Sequence, residues 1–547
     1  NGVTGSLDTQ RTKRDAIIRA VPLKEGGVLR GNAISDAERE LYLTDAFRQV
    51  IIRTEPAGET ASGFKRRDVI IDVEEKKPHV MDYGGGYSTD AGVLGLLEIA
   101  NVNLMNKLRY GAMRLRASGR QQLVRFEYLD PRFARYGERQ FAPLAISVAY
   151  QRDTTLTRFF RSAIDRGTMG IVQRLDENGN PIDEFGNQVN EPSINRFTAS
   201  IETQRVLDRR THTIVFARYA YEDVRLFNLE SLVVKPILQP DRAVRISRLG
   251  ASFVRDTRER CERGLLPARR VADDEEPGLP GEICRYNQLD ATRGDFFSVD
   301  YALALRQLGG NVSFNRFQAT YRRYYKLNGL GGTVLAGNAT LGLANLFNPR
   351  DRDDNGTIDE IDLTLPISER FFSGGSTTLR GFRYEEAGPR QVLAPQGVFR
   401  DSNGDPVFLN PFTVPVGGNA LAVVNLEARI PLTRTFQVVP FYDGGNVFRR
   451  VGDLFGKKDS TPPPGNLLAA IDAANLRAHW TNTVGLGFRI QTPFGGGLAV
   501  DYGFLLNPPE FLIPQHNPGG PIGNLDGTPA VFRLGRTQLH FRFSQTF

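Results

Sequence analysis

The chain has 547 residues, 40% of them hydrophobic, with 56 Gly, 35 Phe and 17 Tyr, and a mean hydropathy of −0.32. No stretch reaches the roughly 20 apolar residues of a membrane helix, and the best, Val93 to Leu104, is short and contains Glu98; a helical membrane protein is excluded, a membrane barrel with alternating strands is not. The net charge of +7, 69 basic against 62 acidic residues, is spread without a basic block and reads as a solvated surface rather than a nucleic-acid footprint.

The chain opens Asn-Gly-Val, with neither an initiator Met nor a signal peptide, as a mature form or a fragment does. Residues 1–78 carry two helix-compatible segments, "DTQRTKRDAIIRAVPL" and "SDAERELYLTDAF", the second opening with Ser35 as a cap and Glu38 three residues on. Two strand-like segments follow, "RQVIIRTEP" and "RRDVIIDVEEKKP". Helix, helix, strand, strand is a small α+β module that lacks a leading strand.

From residue 79 to 547 the helical signals nearly vanish. "HVMDYGGGYSTD" places Gly84, Gly85 and Gly86 in a row, which reads either as a weakened strand or as a turn or bulge. In "NALAVVNLEARIPL" the even-numbered Ala420 to Leu432 share one face, against Asn425, Glu427 and Arg429. "TVGLGFRIQTP" sets Val484, Leu486, Phe488 and Ile490 against Gly485, Gly487, Arg489 and Gln491; "GLAVDYGF" sets Tyr502 and Phe504 against Asp501 and Gly503. "QLHFRFSQTF" closes the chain at Phe547. A soluble sandwich also alternates. Here one face is continuous and aromatic and the other charged and glycine-dotted, which suits lipid outside and water inside, and about sixteen such segments follow residue 79.

Connections alternate short and long, the longest being the inserted loop 345–415. Cys261 and Cys284, the only cysteines, bracket one connection that parity places on the short-turn, periplasmic side; they read either as two unrelated thiols or, as two cysteines bracketing one loop more often do, as a staple formed in an oxidising compartment. "DRDDNGTIDEID" puts Asp351, Asp353, Asn355, Thr357, Asp359 and Asp362 at the ligand positions of a calcium loop, with Asp where an EF-hand has Glu and no flanking helices; the other reading is an acidic solvated turn. The five histidines are scattered, no nucleophile elbow is present, and no catalytic residues are assigned, so the expectation is a protein that is not an enzyme.

"FFSGGSTTLRGF", "PFYDGGNVF", "VGLGFRIQTPFG", "LAVDYGFLLNP" and "HFRFSQTF" resemble, in order and spacing, the barrel motifs of the Omp85 superfamily, which includes the BamA and TamA assembly proteins. The first 78 residues resemble the POTRA domain that precedes that barrel. The resemblance implies a mainly β fold, a 16-stranded antiparallel transmembrane β-barrel after a POTRA-like periplasmic module, in a bacterial outer membrane. It implies that the long loop folds into the lumen and carries Arg380, Gly381 and Phe382 to the wall. By strand parity Asp443 points inward beside Phe441; a guanidinium there seeks a carboxylate for a bidentate contact, with Asp443 first and Asp501 and Glu427 secondary. Arg380 either only holds the loop or also takes part in substrate handling.

The implied activity is insertion of unfolded outer-membrane β-barrel clients, through a lateral seam at Gly84, Gly85, Gly86 and the strand ending in Phe547. The implied partners are those clients, outer-membrane lipids and periplasmic accessory proteins, with no nucleic acid. No cofactor is required, with Ca2+ as an option in the outer loop. The alternatives are a TamA-like module and a two-partner-secretion pore.

Overall fold

A computed structural model describes the chain apart from residues 1–10, 24, 31, 60–62, 89–91, 119–120, 137–140, 154–175, 177, 179, 184, 233–234, 266–279, 289, 328–330, 353–355, 357, 359–361, 384, 394–398, 401–405, 408–410, 434, 457–466, 492–496, 516–527 and 545–547. It falls into two compact units. One comprises Asn1–Asp153, Asn195–Arg205 and Phe216–Asp223, the other Thr154–Ile194, Val206–Val215 and Val224–Phe547.

The first unit opens with α1 (Arg14–Ala20) and α2 (Ala33–Tyr42), then the antiparallel pair β1 (Phe47–Glu59) and β2 (Lys65–Glu75), in the order the sequence pattern predicts. Ala33, Ala37 and Leu41 recur at helical spacing and are buried, Ala37 and Leu41 with Ile17 and Ala20 of α1 and Phe47, Val50 and Ile52 of β1. Ser35 is not the cap. The helix starts two residues earlier, at Ala33, which packing draws inside, and Glu38 Oε1 accepts from the Ile52 amide at 3.2 Å instead of from the helix start. Leu108, well beyond residue 78, also enters this core. The Lys13 amide donates to the Asn106 carbonyl at 2.9 Å and Asn103 Nδ2 to Thr12 Oγ1 at 2.8 Å, so the module's packing does not stop at the sequence boundary.

The rest is strand. In chain order come β3 (His79–Ser88), β4 (Gly92–Asn101), β5 (Tyr110–Ser118), β6 (Gln121–Arg135), β7 (Phe141–Asp153), β8 (Ser193–Asp208), β9 (Thr213–Phe227) and β10 (Ala243–Asp256). A hairpin of β11 (Glu259–Leu265) and β12 (Pro280–Tyr286) precedes β13 (Gly294–Ala304), β14 (Phe314–Leu327) and β15 (Thr333–Leu346). The long insertion holds β16 (Arg390–Leu393), β17 (Phe399–Arg400), β18 (Pro406–Val407) and β19 (Phe412–Pro415). Then follow β20 (Ala420–Pro431), β21 (Phe436–Phe448), β22 (Thr481–Gln491), β23 (Gly497–Leu505), the short pair β24 (Glu510–Ile513) and β25 (Ala530–Arg533), and finally β26 (Thr537–Ser544).

Sixteen of these form one sheet in sequence order from β3 to β26, leaving out β11, β12, β16 to β19, β24 and β25. This is the 16-stranded antiparallel fold expected, and no helix among the described residues is long and apolar enough to cross a membrane. Sidedness follows the sequence pattern. Val484 faces Phe504, Leu486 faces Tyr502 and Tyr502 faces Leu539 across neighbouring strands, all exposed, whereas Asp443 and Asp501 on the other face are fully buried. The insertion is 347–419 rather than 345–415, because Asn345 and Leu346 still pair with Asn315 and Phe314 of β14.

Cys261 and Cys284 face one another in the β11–β12 register and form a disulfide, with Cα atoms 4.0 Å apart, so the expected staple is present. Strand alternation puts this hairpin at the same end as the β14–β15 and β20–β21 turns.

Candidate functional site

The segment 373–387 is a compact loop written into its backbone. Gly374 and Gly375 have φ of 117° and 98°, and a Cβ on Gly374 would strike the Arg383 carbonyl. Thr378 Oγ1 accepts from the Gly374 amide at 2.9 Å, Gly375 donates to the Phe382 carbonyl at 3.1 Å, and Ala387 donates to Ser373 at 3.0 Å. Leu379 and Phe382 are buried in one apolar cluster with Phe371, Leu421, Val423, Val447 and Leu505. These two side chains flank Arg380 and Gly381 and leave Arg380 aimed at the polar inner face of β20 to β23.

Arg380 is 3% exposed and meets the partners the sequence assigned to it. Its Nε donates to Asp443 Oδ2 at 2.8 Å and its NH2 to Asp443 Oδ1 at 2.6 Å, a bidentate fork that its own amide extends with a third bond to Oδ2 at 3.0 Å. NH1 donates to Glu427 Oε1 at 2.7 Å and lies 3.8 Å from Asp501 Oδ1. The guanidinium carbon sits 3.5 Å from the centroid of the Phe441 ring.

Two further arginines complete the cluster. Arg429 Nε donates to Glu427 Oε2 at 3.1 Å, and Arg489 NH1 donates to Asp501 Oδ1 at 2.7 Å. Three guanidinium groups thus face three carboxylates, which is the condition under which burying so many charges is tolerable. Asn425 Nδ2 donates to both the Thr378 carbonyl at 2.6 Å and Asp443 Oδ1 at 2.8 Å, tying the loop backbone to the same carboxylate.

The wall is cut to receive this loop. A Cβ at Gly381 would meet Thr483 Oγ1, one at Gly503 the Arg380 carbonyl, one at Gly487 the Asp501 carboxylate, and one at Gly485 the Phe441 ring and the Tyr502 carbonyl. Gly381 thus lies against Thr483 of the wall with no room for a side chain. The wall glycines and Arg489 were visible in the sequence as an inward-facing row but carried no assigned role, and His540, whose Nε2 lies 3.1 Å from the Arg380 carbonyl, carried no signal beyond its inward parity.

The base of the insertion is held differently. Arg370 donates to the carbonyls of Leu365 and Val416 and to Thr364 Oγ1, and Arg390 donates to Thr413 Oγ1 at 3.0 Å and the Thr413 carbonyl at 2.9 Å. Burial pushes each of these guanidinium groups down to about 10, which leaves both charged at neutral pH. Arg352 NH1 donates to Asp241 Oδ1 at 2.8 Å, and the Ile367 amide donates to Asp241 Oδ2 at 2.8 Å.

Of the calcium-like loop, Asp353, Asn355, Thr357 and Asp359 lie outside the described residues. Asp362 is fully buried and accepts from the Arg352 amide at 2.8 Å, and Asp351 Oδ2 accepts from Gly356 at 2.6 Å, so both ends of the loop already serve as acceptors within the chain. Gly84, Gly85 and Gly86 are neither turn nor bulge: they pair in regular register with Leu96, Gly95 and Leu94 of β4. Phe547 lies outside the described residues.

Residues 285–547 match the model of the Omp85 superfamily domain. Among solved structures the chain is similar to BamA from Haemophilus ducreyi lacking POTRA domains 1–3, at 15% identity over 97% of this chain and 82% of that one, with a TM-score of 0.61. It is also similar to CdiB from Acinetobacter baumannii, at 13% identity over 91% and 69% of the two chains with a TM-score of 0.42. CdiB from Escherichia coli matches at 9% identity over 97% and 73%, with a TM-score of 0.44. The fold of the BamA barrel is the one this sheet adopts.

Proposed function

We propose that this member of the Omp85 superfamily folds and inserts β-barrel clients into the outer membrane, without a catalytic step, through a seam between β3 and β26. The observation that carries the reading is the Arg380 cluster. It fastens an inserted loop to β20 and β21 by charge and to β23 and β26 through the Arg380 backbone, a seat whose release frees the terminal strand to change neighbours.

At the other end of the strand order, three successive glycines in β3 contribute backbone pairing but no side-chain packing. In lipid an unpaired strand edge costs several kcal/mol per orphaned group, and an incoming client strand satisfies those groups by strand addition. The N-terminal α+β module is read as periplasmic, with the edges of its β1–β2 hairpin offered to clients or accessory proteins.

The test is client folding. The chain as produced in the cell is placed in liposomes, and an unfolded outer-membrane barrel is followed as it becomes heat-modifiable and protease-resistant. Acceleration over empty liposomes supports the assembly reading. No acceleration together with steady ion conductance in a planar bilayer replaces it with the secretion-pore reading.

A further inference from the structure

Arg380 is bonded in two directions, and only one of them is electrostatic. Its guanidinium engages β20 and β21, while its carbonyl oxygen points the other way, into the space that Gly503 of β23 leaves by having no Cβ. There it lies 3.1 Å from His540 Nε2 of β26. A carbonyl oxygen only accepts, so Nε2 carries the proton and donates. His540 stands opposite Asp501 in the β23–β26 register, and Asp501 is already in the arginine cluster through Arg489. The last strand is therefore in contact with the loop through its backbone and adjacent to it through the charge cluster.

We propose that His540 is the positioning residue by which the seated loop holds the terminal strand, so that unseating Arg380 and loosening β26 are one coupled event. The inference deepens the insertion reading and rests on it for its purpose, because a terminal strand released by loop movement is what a lateral seam needs. The coupling itself is a property of the folded chain and is measurable without any client. Coupling is reciprocal: whatever loosening of 378–383 follows from losing the His540 bond must be matched by a loosening of β26 when the loop seat is weakened elsewhere.

The experiment is hydrogen exchange on the full chain in proteoliposomes, comparing wild type with His540→Phe, which keeps a ring and removes the donor, and His540→Gln, whose amide nitrogen reaches close to the same place. The expected result is that His540→Phe speeds amide exchange in both 537–544 and 378–383 by about three- to tenfold, the range one hydrogen bond accounts for, while β13 and β14 are unchanged. His540→Gln restores the wild-type rates. Asp443→Asn, which weakens the seat from β21, is expected to speed exchange in 537–544 as well, and it carries the test if His540→Phe fails to fold.

Faster exchange confined to β26, unchanged rates in both segments, or a Gln variant that behaves like Phe overturns the proposal. Client folding measured in parallel separates the two claims: coupled exchange without any client acceleration leaves the His540 link standing and removes the insertion reading.

Discussion

Arg380 and Arg390 stand ten residues apart in one insertion, both almost completely buried, yet they are held by different chemistry. Arg380 meets carboxylates from β20 and β21 and the ring of Phe441, all belonging to the sheet wall. Arg390 donates to Thr413 of the same insertion, the residue β19 sets beside β16. A cation matched by carboxylates of the wall ties two parts of the molecule into one, whereas the Arg390 hydrogen bonds to Thr413 stay within its own loop, with the Phe511 ring 5.3 Å away as its contact beyond it. The difference predicts that damage at the tip propagates into the sheet and damage at the base stays local.

The sharpest way to break this contrast is Arg380→Ala. It leaves Asp443 buried without its fork, and removing one partner of a buried pair costs about 3–5 kcal/mol. The expected outcome is a large fall in the thermal midpoint of the heat-modifiable band and slower client folding, with Arg380→Lys intermediate because an ammonium does not reproduce the bidentate contact. Next is Cys261→Ser with Cys284→Ser. Losing that staple costs the β11–β12 hairpin about 3 kcal/mol on the loop-closure argument, read as faster proteolysis there. Exchange at 378–383 should not move, since among the described residues no hydrogen bond links the hairpin to the Arg380 cluster.

Arg390→Met should cost about 1 kcal/mol, because two hydrogen bonds are lost while the burden of a buried cation is lifted. Client folding should stay at the wild-type rate; a loss as large as that of Arg380→Ala would erase the distinction between tip and base.

The smallest effect concerns Asp472 in the helix Leu467–Asn475, which accepts from the Val392 amide at 2.9 Å beside Arg390. Burial raises its carboxyl above the ordinary aspartate range. Its contribution to docking this helix on β16 is therefore full below the ordinary carboxyl pKa and declines as pH rises through the raised value. Amide exchange in 390–393 should accelerate across that acid window in wild type and stay flat in Asp472→Asn.

Most of the sheet was legible because its code is a period of two. Leu426 and Glu427, or Tyr502 and Asp501, declare their faces by alternation alone, and the inward parity of Asp443 follows from the same count. The Arg380–Asp443 pairing was legible because one lone arginine in a glycine-rich loop and one inward carboxylate are complementary. Ser35 misled because a capping pattern is local, and the helix begins before it with Ala33 buried in its first turn. Arg489 and His540 were missed because their roles depend on which strands lie side by side. Register, unlike parity, is not written in any single segment. The entry of Leu108 into the N-terminal core was hidden for the same reason.

The glycines at 381 and 503 make the loop and the wall a cast and its mould. The seated shape is selected by missing volume as much as by charge, and volume is indifferent to ionic strength. A single methyl group added at position 503 removes no charge and no donor, yet it occupies the place of the Arg380 carbonyl. Such a variant is a means of populating the unseated form while every ionic partner stays in the chain, so that the two states can be isolated by shape alone.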